Sequence, residues 1–311
     1  MRVLVTGGAG FIASNLIDRL LAEGCDVDAI DDLSTGALAN LAEARAQRTR
    51  RFSFHRLDIC SPQLADLVAH RKPEVIFHLA AQAGVRPSLA RPVFDAQVNI
   101  LGSLNVCEAA LGAGTRKIVF AGSGGTLYGV PESVPVKESH AQRPTSPYGV
   151  SKKAAVDYLY YYREIHGLEY TVLALANVYG PRQDPHGEAG VVAIFGGALL
   201  SGKRPMIYGD GKATRDYVFV DDVADAFVRA TEKGGGLLMN IGTGIETSVV
   251  DLYDLMARLT GFEEEARFGP ERPGELLRSA LDPGRAAIHL GWKPWTSLED
   301  GLERTLEWHR L

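Results

Sequence analysis

Over the first 176 positions, short runs of β-branched and apolar residues alternate with longer segments of helical period. The runs are RVLVT, VDAID, FSFHRL, EVIFHLA, KIVFAG and YTVLALA; between them lie FIASNLIDRLLAEG, the stretch around 94–113 and the stretch 147–166. This alternation predicts βαβ crossovers and a parallel sheet. The runs are apolar throughout instead of alternating, which suits strands covered by helices on both faces.

Beyond Asn177 the pattern changes. Residues 178–220 are dense in glycine, proline and charge, with one short helical pattern near 190–200, and predict substrate-facing loops and small elements. Helical periodicity returns at VADAFVRAT, preceded by Asp221 or Asp222, and after Ser248 and Ser297. Each serine has an Asp three residues on, a capping box with Asp in place of Glu. No repeat, low-complexity tract or linker separates the two parts. The expected fold is α/β: a Rossmann-type doubly wound parallel sheet with a smaller C-terminal α/β domain.

Composition changes this picture little. The chain has 311 residues, 46% hydrophobic and 23% charged, enough for a full core. A net charge of −5 and a pI near 5.9 give no general attraction to nucleic acid or anionic membranes. Cys25, Cys60 and Cys107 are odd in number and lack CxxC spacing, so neither a disulfide framework nor a metal site is expected. The start, MRVLVTGGAG, has no apolar leader and no run of 18 apolar residues follows, so the expected location is cytoplasmic.

The first run leads into TGGAGFIA. Gly7 and Gly10 take the first two glycine positions of a G-x-x-G-x-x-G turn, and Ala13 takes the third. Gly7 permits the tight turn, Gly10 lets backbone approach a pyrophosphate, and the amides at Phe11 and Ile12 open the following helix, where phosphates bind. Asp31 stands 21 residues after Gly10, at the end of the second run, where an acid binds adenosine ribose hydroxyls. Asp31 and Asp32 would repel a 2′-phosphate, and no Arg follows in Leu33, Ser34, Thr35 and Gly36, so NAD is expected over NADP. Asp58 and Ile59 after the third run, and Leu79, Ala80 and Ala81 after the fourth, fall at the same strand ends. Residues 1–177 are thus read as the NAD-binding Rossmann domain, with returning segments near 216–245, and 178–311 mainly as the substrate domain.

Tyr148 and Lys152 lie four apart on a helix that Pro147 opens, so they share a face. A phenol titrates near 10; a neighbouring ammonium and a positive nicotinamide ring both favour phenolate, which makes Tyr148 a candidate base.

In this order and spacing TGGAGFIA, DDLSTG, Asp58-Ile59, HLAAQAGVRPS, GSGGTLYG, SPYGVSK, NVYGPRQDP, RDYVFVDDVADA and RPGE resemble the extended short-chain dehydrogenase/reductase family. Within it the sequence is most similar to NAD-dependent nucleotide-sugar epimerases of the UDP-glucose 4-epimerase type. The resemblance implies that Tyr148 takes the 4-hydroxyl proton of a UDP-sugar as C4 gives up hydride, forming a 4-keto sugar that turns over and is reduced on its other face. Lys152 would anchor the nicotinamide ribose. Many relatives carry Ser or Thr where this chain has Gly124, and a subgroup has paired glycines as here, so Thr126, Ser123 or water must supply that hydroxyl, with Thr126 the first choice. The resemblance argues against a 4,6-dehydratase, whose Asp-Glu pair is replaced by Gly125 and Thr126.

It further implies that Asn177, Arg215 and Arg272 hold the diphosphate, Glu275 the uridine ribose and Tyr208 the base, with Val85, Arg86 and Val191 also at the substrate. Ser279 stands where tight sugar pockets have Tyr, which opens the site to N-acetyl sugars. UDP-glucuronate 4-epimerase and UDP-N-acetylglucosamine 4-epimerase are the alternatives; Arg86, Arg182 and His186 are candidate cations for a 6-carboxylate. A reductase or decarboxylase on the same scaffold, and a non-catalytic NAD sensor, are the competing classes. A homodimer through the helices near 94–113 and 147–166 is expected, with no nucleic-acid or membrane partner.

Overall fold

The computed structural model describes residues 1–47, 51–185, 190–272 and 276–310. The amino-terminal half runs β1 (Arg2–Thr6), α1 (Phe11–Ala22), β2 (Asp26–Asp31), α2 (Ala42–Ala46), β3 (Phe52–Arg56), α3 (Gln63–Arg71) and β4 (Val75–His78). There follow α4 (Val85–Ala90), α5 (Pro92–Ala96), a π turn (Gln97–Leu101), α6 (Gly102–Ala113), β5 (Lys117–Ser123), α7 (Gly124–Leu127), α8 (Pro147–His166) and β6 (Glu169–Leu175). The remainder comprises β7 (Asn177–Tyr179), α9 (Val191–Leu200), β8 (Met206–Tyr208), β9 (Thr214–Arg215), β10 (Tyr217–Phe219), α10 (Val220–Ala230) and β11 (Leu237–Ile241). It ends with β12 (Thr247–Ser248), α11 (Val249–Thr260), β13 (Arg267–Gly269), α12 (Gly284–His289) and α13 (Leu298–Arg310).

Seven parallel strands form the central sheet in the order β11-β6-β5-β4-β1-β2-β3. Successive side chains leave a strand on opposite faces. Val3 and Val5 enter one core with Leu16, Ile17 and Leu20 of α1 and Phe227 of α10, while Leu4 enters the other with Leu64 and Val68 of α3 and Val106 of α6. Two covered faces explain why the runs are apolar throughout. Each fully buried Leu, Ile or Phe contributes about 1.5–3 kcal/mol. All six apolar runs are strands. The seventh, LLMNI, returns to the sheet edge beside β6 after the chain has left for the smaller lobe.

That lobe has its own core, in which Phe195 and Leu199 of α9 meet Leu252 and Met256 of α11 and Leu302 and Leu306 of α13. The serine caps form: the Ser248 hydroxyl accepts from Asp251 N at 3.0 Å and that of Ser297 from Asp300 N at 3.1 Å. In each, the Asp carboxylate turns back to the serine hydroxyl, at 2.6 and 2.7 Å. The expected Asp221/Asp222 cap does not form. The helix starts earlier, at Val220, and the buried Asp222 carboxylate instead accepts from Trp295 N, Thr296 N and the Thr296 hydroxyl, fastening the C-terminal chain to α10.

Candidate active site

Every element of the predicted cofactor end lies at the carboxyl edge of the sheet, where a doubly wound fold places its ligand. Gly7 adopts φ 67°, and a Cβ there would lie 2.8 Å from Ala80 N, so the close approach of the β1 and β4 ends needs glycine. Gly10 N donates to Gly7 O at 2.9 Å, closing the turn ahead of α1. Asp31 is buried, its oxygens accepting from Ala9 N at 3.0 Å and Leu33 N at 2.8 Å. Each oxygen keeps a lone pair for a ribose hydroxyl. Burial pushes this carboxyl up from its ordinary pKa, and the two amides oppose the shift. Asp32 is exposed and turns locally onto Ser34 N and Oγ, and Asp58 onto Cys60 N. Thr35 is exposed, and Gly36 packs directly against the Asp31 carboxylate. Ile59 is buried, whereas Leu79, Ala80 and Ala81 are partly exposed at the end of β4. The glycine cradle and the half-satisfied Asp31 fit a dinucleotide.

Ser146 caps α8 by accepting from Gly149 N at 3.2 Å, with Pro147 at the first turn. This start aims Tyr148 and Lys152 at β5. Lys152 is 3% exposed; its Nζ donates to Ala121 O at 3.0 Å and lies 4.6 Å from the Phe120 ring centroid. Burial lowers its pKa to about 8, opposed by the Asp95 carboxylate. The ammonium sits 6.0 Å from the Tyr148 ring centroid. Burial pushes the Tyr148 phenol up to about 12; a hydrogen bond from the Ser123 hydroxyl favours phenolate, and the Asp95 charge disfavours it.

The hydroxyl question has a steric answer. A Cβ at Gly124 would collide with the Leu281 side chain and come within 3.1 Å of Ala174 O. Leu281 is held there by its own amide, which donates to Asp216 Oδ2 at 3.1 Å, and by the flanking Val136 pairing. Position 124 therefore has no room for the hydroxyl-bearing side chain that the resemblance leads one to expect there. Thr126 Oγ1 turns to Ser123 O at 3.5 Å, while the Ser123 hydroxyl meets Tyr148. The geometry favours Ser123 over the first choice, Thr126. Gly124→Ser is expected to destabilise the fold by about 1–3 kcal/mol through overpacking, without raising turnover. Denaturant melts should show the Gly124→Ser/Leu281→Ala double mutant losing less than the sum of its singles.

Behind the pair runs a buried polar chain that the sequence reading did not single out. Ala80 N donates to Thr6 Oγ1, Thr6 Oγ1 lies 2.7 Å from His78 Nδ1, His78 Nε2 lies 2.9 Å from Ser103 Oγ, and Ser103 donates to Asn99 O. The polarity of the chain puts the His78 proton on Nε2. Burial and the Lys152 charge push the His78 pKa down from 6.5 to about 3. Below pH 6.5 the unfolded chain gains a proton that the folded chain refuses until about pH 3. Stability is then expected to fall with pH by up to about 1.4 kcal/mol per unit from this group. Melts of His78→Asn over that window should have a shallower slope; an unchanged slope would exclude His78 as the source.

On the substrate side, Arg272 stacks 3.5 Å above the Tyr208 ring centroid, and Arg215 Nη1 donates to Leu276 O at 2.8 Å. Asn177 opens β7 just beyond the β6 end, exposed. Val85 and Arg86 are exposed in the first turn of α4, and Val191 opens α9. Ser279 is partly exposed two residues before Leu281. Glu275 and His186 lie outside the described residues. Arg182 leaves the list of carboxylate-binding candidates. Its buried guanidinium is held by Asp18 at 2.6 Å and Glu43 at 3.1 Å, pinning its loop to α1 and α2.

The family model for NAD dependent epimerase/dehydratase proteins matches residues 3–242. The UDP-glucose 4-epimerase of Mycolicibacterium smegmatis is 51% identical over 311 residues, covering 100% of this chain and 99% of its own. The chain belongs to the NAD dependent epimerase/dehydratase family. Among solved members, the UDP-glucose 4-epimerase of Thermotoga maritima with UDP-glucose superposes with TM-score 0.96 at 43% identity, covering 100% of this chain and 99% of that one. The Thermus thermophilus UDP-glucose 4-epimerase complex with NAD gives TM-score 0.92 at 40% identity, with the same two coverages. The family resemblance drawn from the motifs and the expected Rossmann-type fold both hold.

Proposed function

We propose that this protein interconverts the C4 epimers of a UDP-hexose of the glucose/galactose type while retaining NAD. The carrying observation is the placement of Tyr148 and Lys152 on one face of α8 at the carboxyl edge of the sheet, with the Ser123 hydroxyl against the phenol. Tyr148 takes the 4-hydroxyl proton and returns it after the 4-keto sugar has turned, and Ser123 steadies the phenolate between. Lys152 holds a positive charge beside the phenol, lowering the free energy of its ionised form. NAD, when bound, accepts the C4 hydride and gives it back. Gly7, Gly10, Phe11 and Ile12 would hold its pyrophosphate and Asp31 its adenosine ribose; Arg215, Arg272 and Asn177 would hold the UDP diphosphate, which suits guanidinium geometry.

With Arg182 bound to Asp18 and Glu43, a 6-carboxylate loses one of its candidate cations. The test is incubation of the purified protein, without added NAD, with UDP-glucose, UDP-glucuronate and UDP-N-acetylglucosamine separately, products resolved by NMR. Formation of UDP-galactose, faster than either other epimer, is expected. Preferential conversion of another sugar would move the substrate assignment, net NADH formation or carbon dioxide release would replace epimerisation, and no conversion by an NAD-loaded protein would refute it.

The exposed face of α5, the π turn and α8 suits pairing with a second copy. Val93, Leu101, Tyr161 and Ile165 lie there, 71%, 58%, 46% and 65% exposed. A homodimer is the expected sedimentation result.

A further inference from the structure

We infer that Asp95 is a positioning residue for the reacting pair: a buried carboxylate, linked through Asn99 and Ser151 to the backbone carbonyl of Tyr148, whose charge favours the ammonium of Lys152 and adds to burial in favouring the phenol of Tyr148. The inference rests on the epimerase reading of Tyr148 and Lys152.

Asp95 is 1% exposed on α5, which packs against α8. Its Oδ1 accepts from Gln82 Nε2 at 2.9 Å and Asn99 Nδ2 at 3.1 Å. Its Oδ2 is buried and has no hydrogen-bond partner among the described residues. A buried carboxylate half left unsatisfied is costly, and a neutral side chain would fill the site more cheaply unless the charge acts on something nearby. The connections lead to the reacting pair. Asn99 is oriented by Gln82, accepting from its amide and donating to its carbonyl, and its Nδ2 also reaches Ser151 Oγ at 3.0 Å. Ser151 then donates to Tyr148 O at 3.0 Å. Asp95 and Asn99 lie one helical turn apart, Asn99 within the π turn, and its Nδ2 reaches Ser151 of α8.

Other charges do not duplicate this one. Facing Lys152 are His78 of β4, held neutral, the Phe120 ring of β5 and Tyr148 on its own helix. The Asp95 carboxylate acts on both members of the pair, favouring ammonium on Lys152 and opposing phenolate on Tyr148. Ionisation of Tyr148 has to overcome its burial first and the Asp95 charge in addition.

The test is Asp95→Asn, which keeps an acceptor for Gln82 and Asn99 and removes the charge. The acid limb of the kcat profile reports ionisation of Tyr148 and the alkaline limb loss of the Lys152 proton. Both pKa values fall without Asp95, so both limbs are expected to move to lower pH by about one unit. Asp95→Glu, which keeps the charge, is expected to leave them nearer the wild-type pH. Asp95→Ser is the second neutral variant should Asn fold poorly, with the same shift expected. A folded neutral variant, confirmed by circular dichroism and retained NAD, whose kcat falls with its limbs unmoved would overturn the inference and leave Asp95 a structural residue. If Tyr148→Phe itself retains turnover, the epimerase reading fails first, and the two failures are thereby told apart.

Discussion

Tyr148→Phe is expected to lower turnover by about a thousandfold while the bound dinucleotide stays in place, in keeping with what a positioned general base contributes. In the proposed mechanism the phenol exchanges a proton with a sugar hydroxyl, and Phe removes that oxygen alone. Its surroundings show why the oxygen needs help. Burial pushes the phenol up to about 12, so with Asp95 nearby it is fully protonated at neutral pH. The Ser123 hydrogen bond and the Lys152 ammonium favour ionisation, and the cofactor's positive ring adds to them. The dinucleotide contacts proposed at Gly7, Gly10 and Asp31 do not involve the phenol, so NAD released on denaturation should match the wild type. Full turnover in Tyr148→Phe would remove Tyr148 from the mechanism. Loss of turnover with NAD retained separates an enzyme from a dinucleotide sensor, in which this substitution would be silent.

Gly7→Ala should have the opposite signature, a protein that no longer retains the dinucleotide. At φ 67° an L side chain is strained, and the new Cβ would lie 2.8 and 2.9 Å from the Ala80 backbone N and Cα. Backbone cannot rotate away as a flexible side chain does, so the β1 turn must move, and with it the amides proposed to hold the pyrophosphate. A loss of about 1–3 kcal/mol is expected from backbone strain. Gly112→Ala is the control: exposed in α6 with open space around it, it should stabilise by about 0.5–1 kcal/mol. Native-like NAD content in Gly7→Ala would place the phosphates elsewhere.

Much of the proposed site was legible because its signals are local. The glycine turn, Asp31 at the end of β2 and the four-residue spacing of Tyr148 and Lys152 each depend on a few neighbouring positions and one element type. The same holds for the six strands and for the Ser248 and Ser297 caps. Asp221 and Asp222 look like caps by the same rule, but Asp222 finds better donors at Trp295 and Thr296, some 73 and 74 residues away in sequence. Tertiary hydrogen bonds overrode the local preference there.

What the sequence by itself determined is the family, the parallel sheet and the use of NAD, and it nominated Tyr148 and Lys152 as the reacting pair. Only the tertiary structure decided how that pair is tuned. Leu281 closes the space at Gly124 because Asp216, 65 residues earlier, anchors its amide. Asn99 reaches Ser151 across 52 residues, and Thr6 reaches His78 across 72. Arg182, a plausible carboxylate ligand by sequence, is drawn instead to Asp18 and Glu43. The physical reason is common to all of them. A buried polar group must find a partner or act on a charge, and which partner lies within about 3 Å depends on how the elements pack, not on the order of residues along the chain.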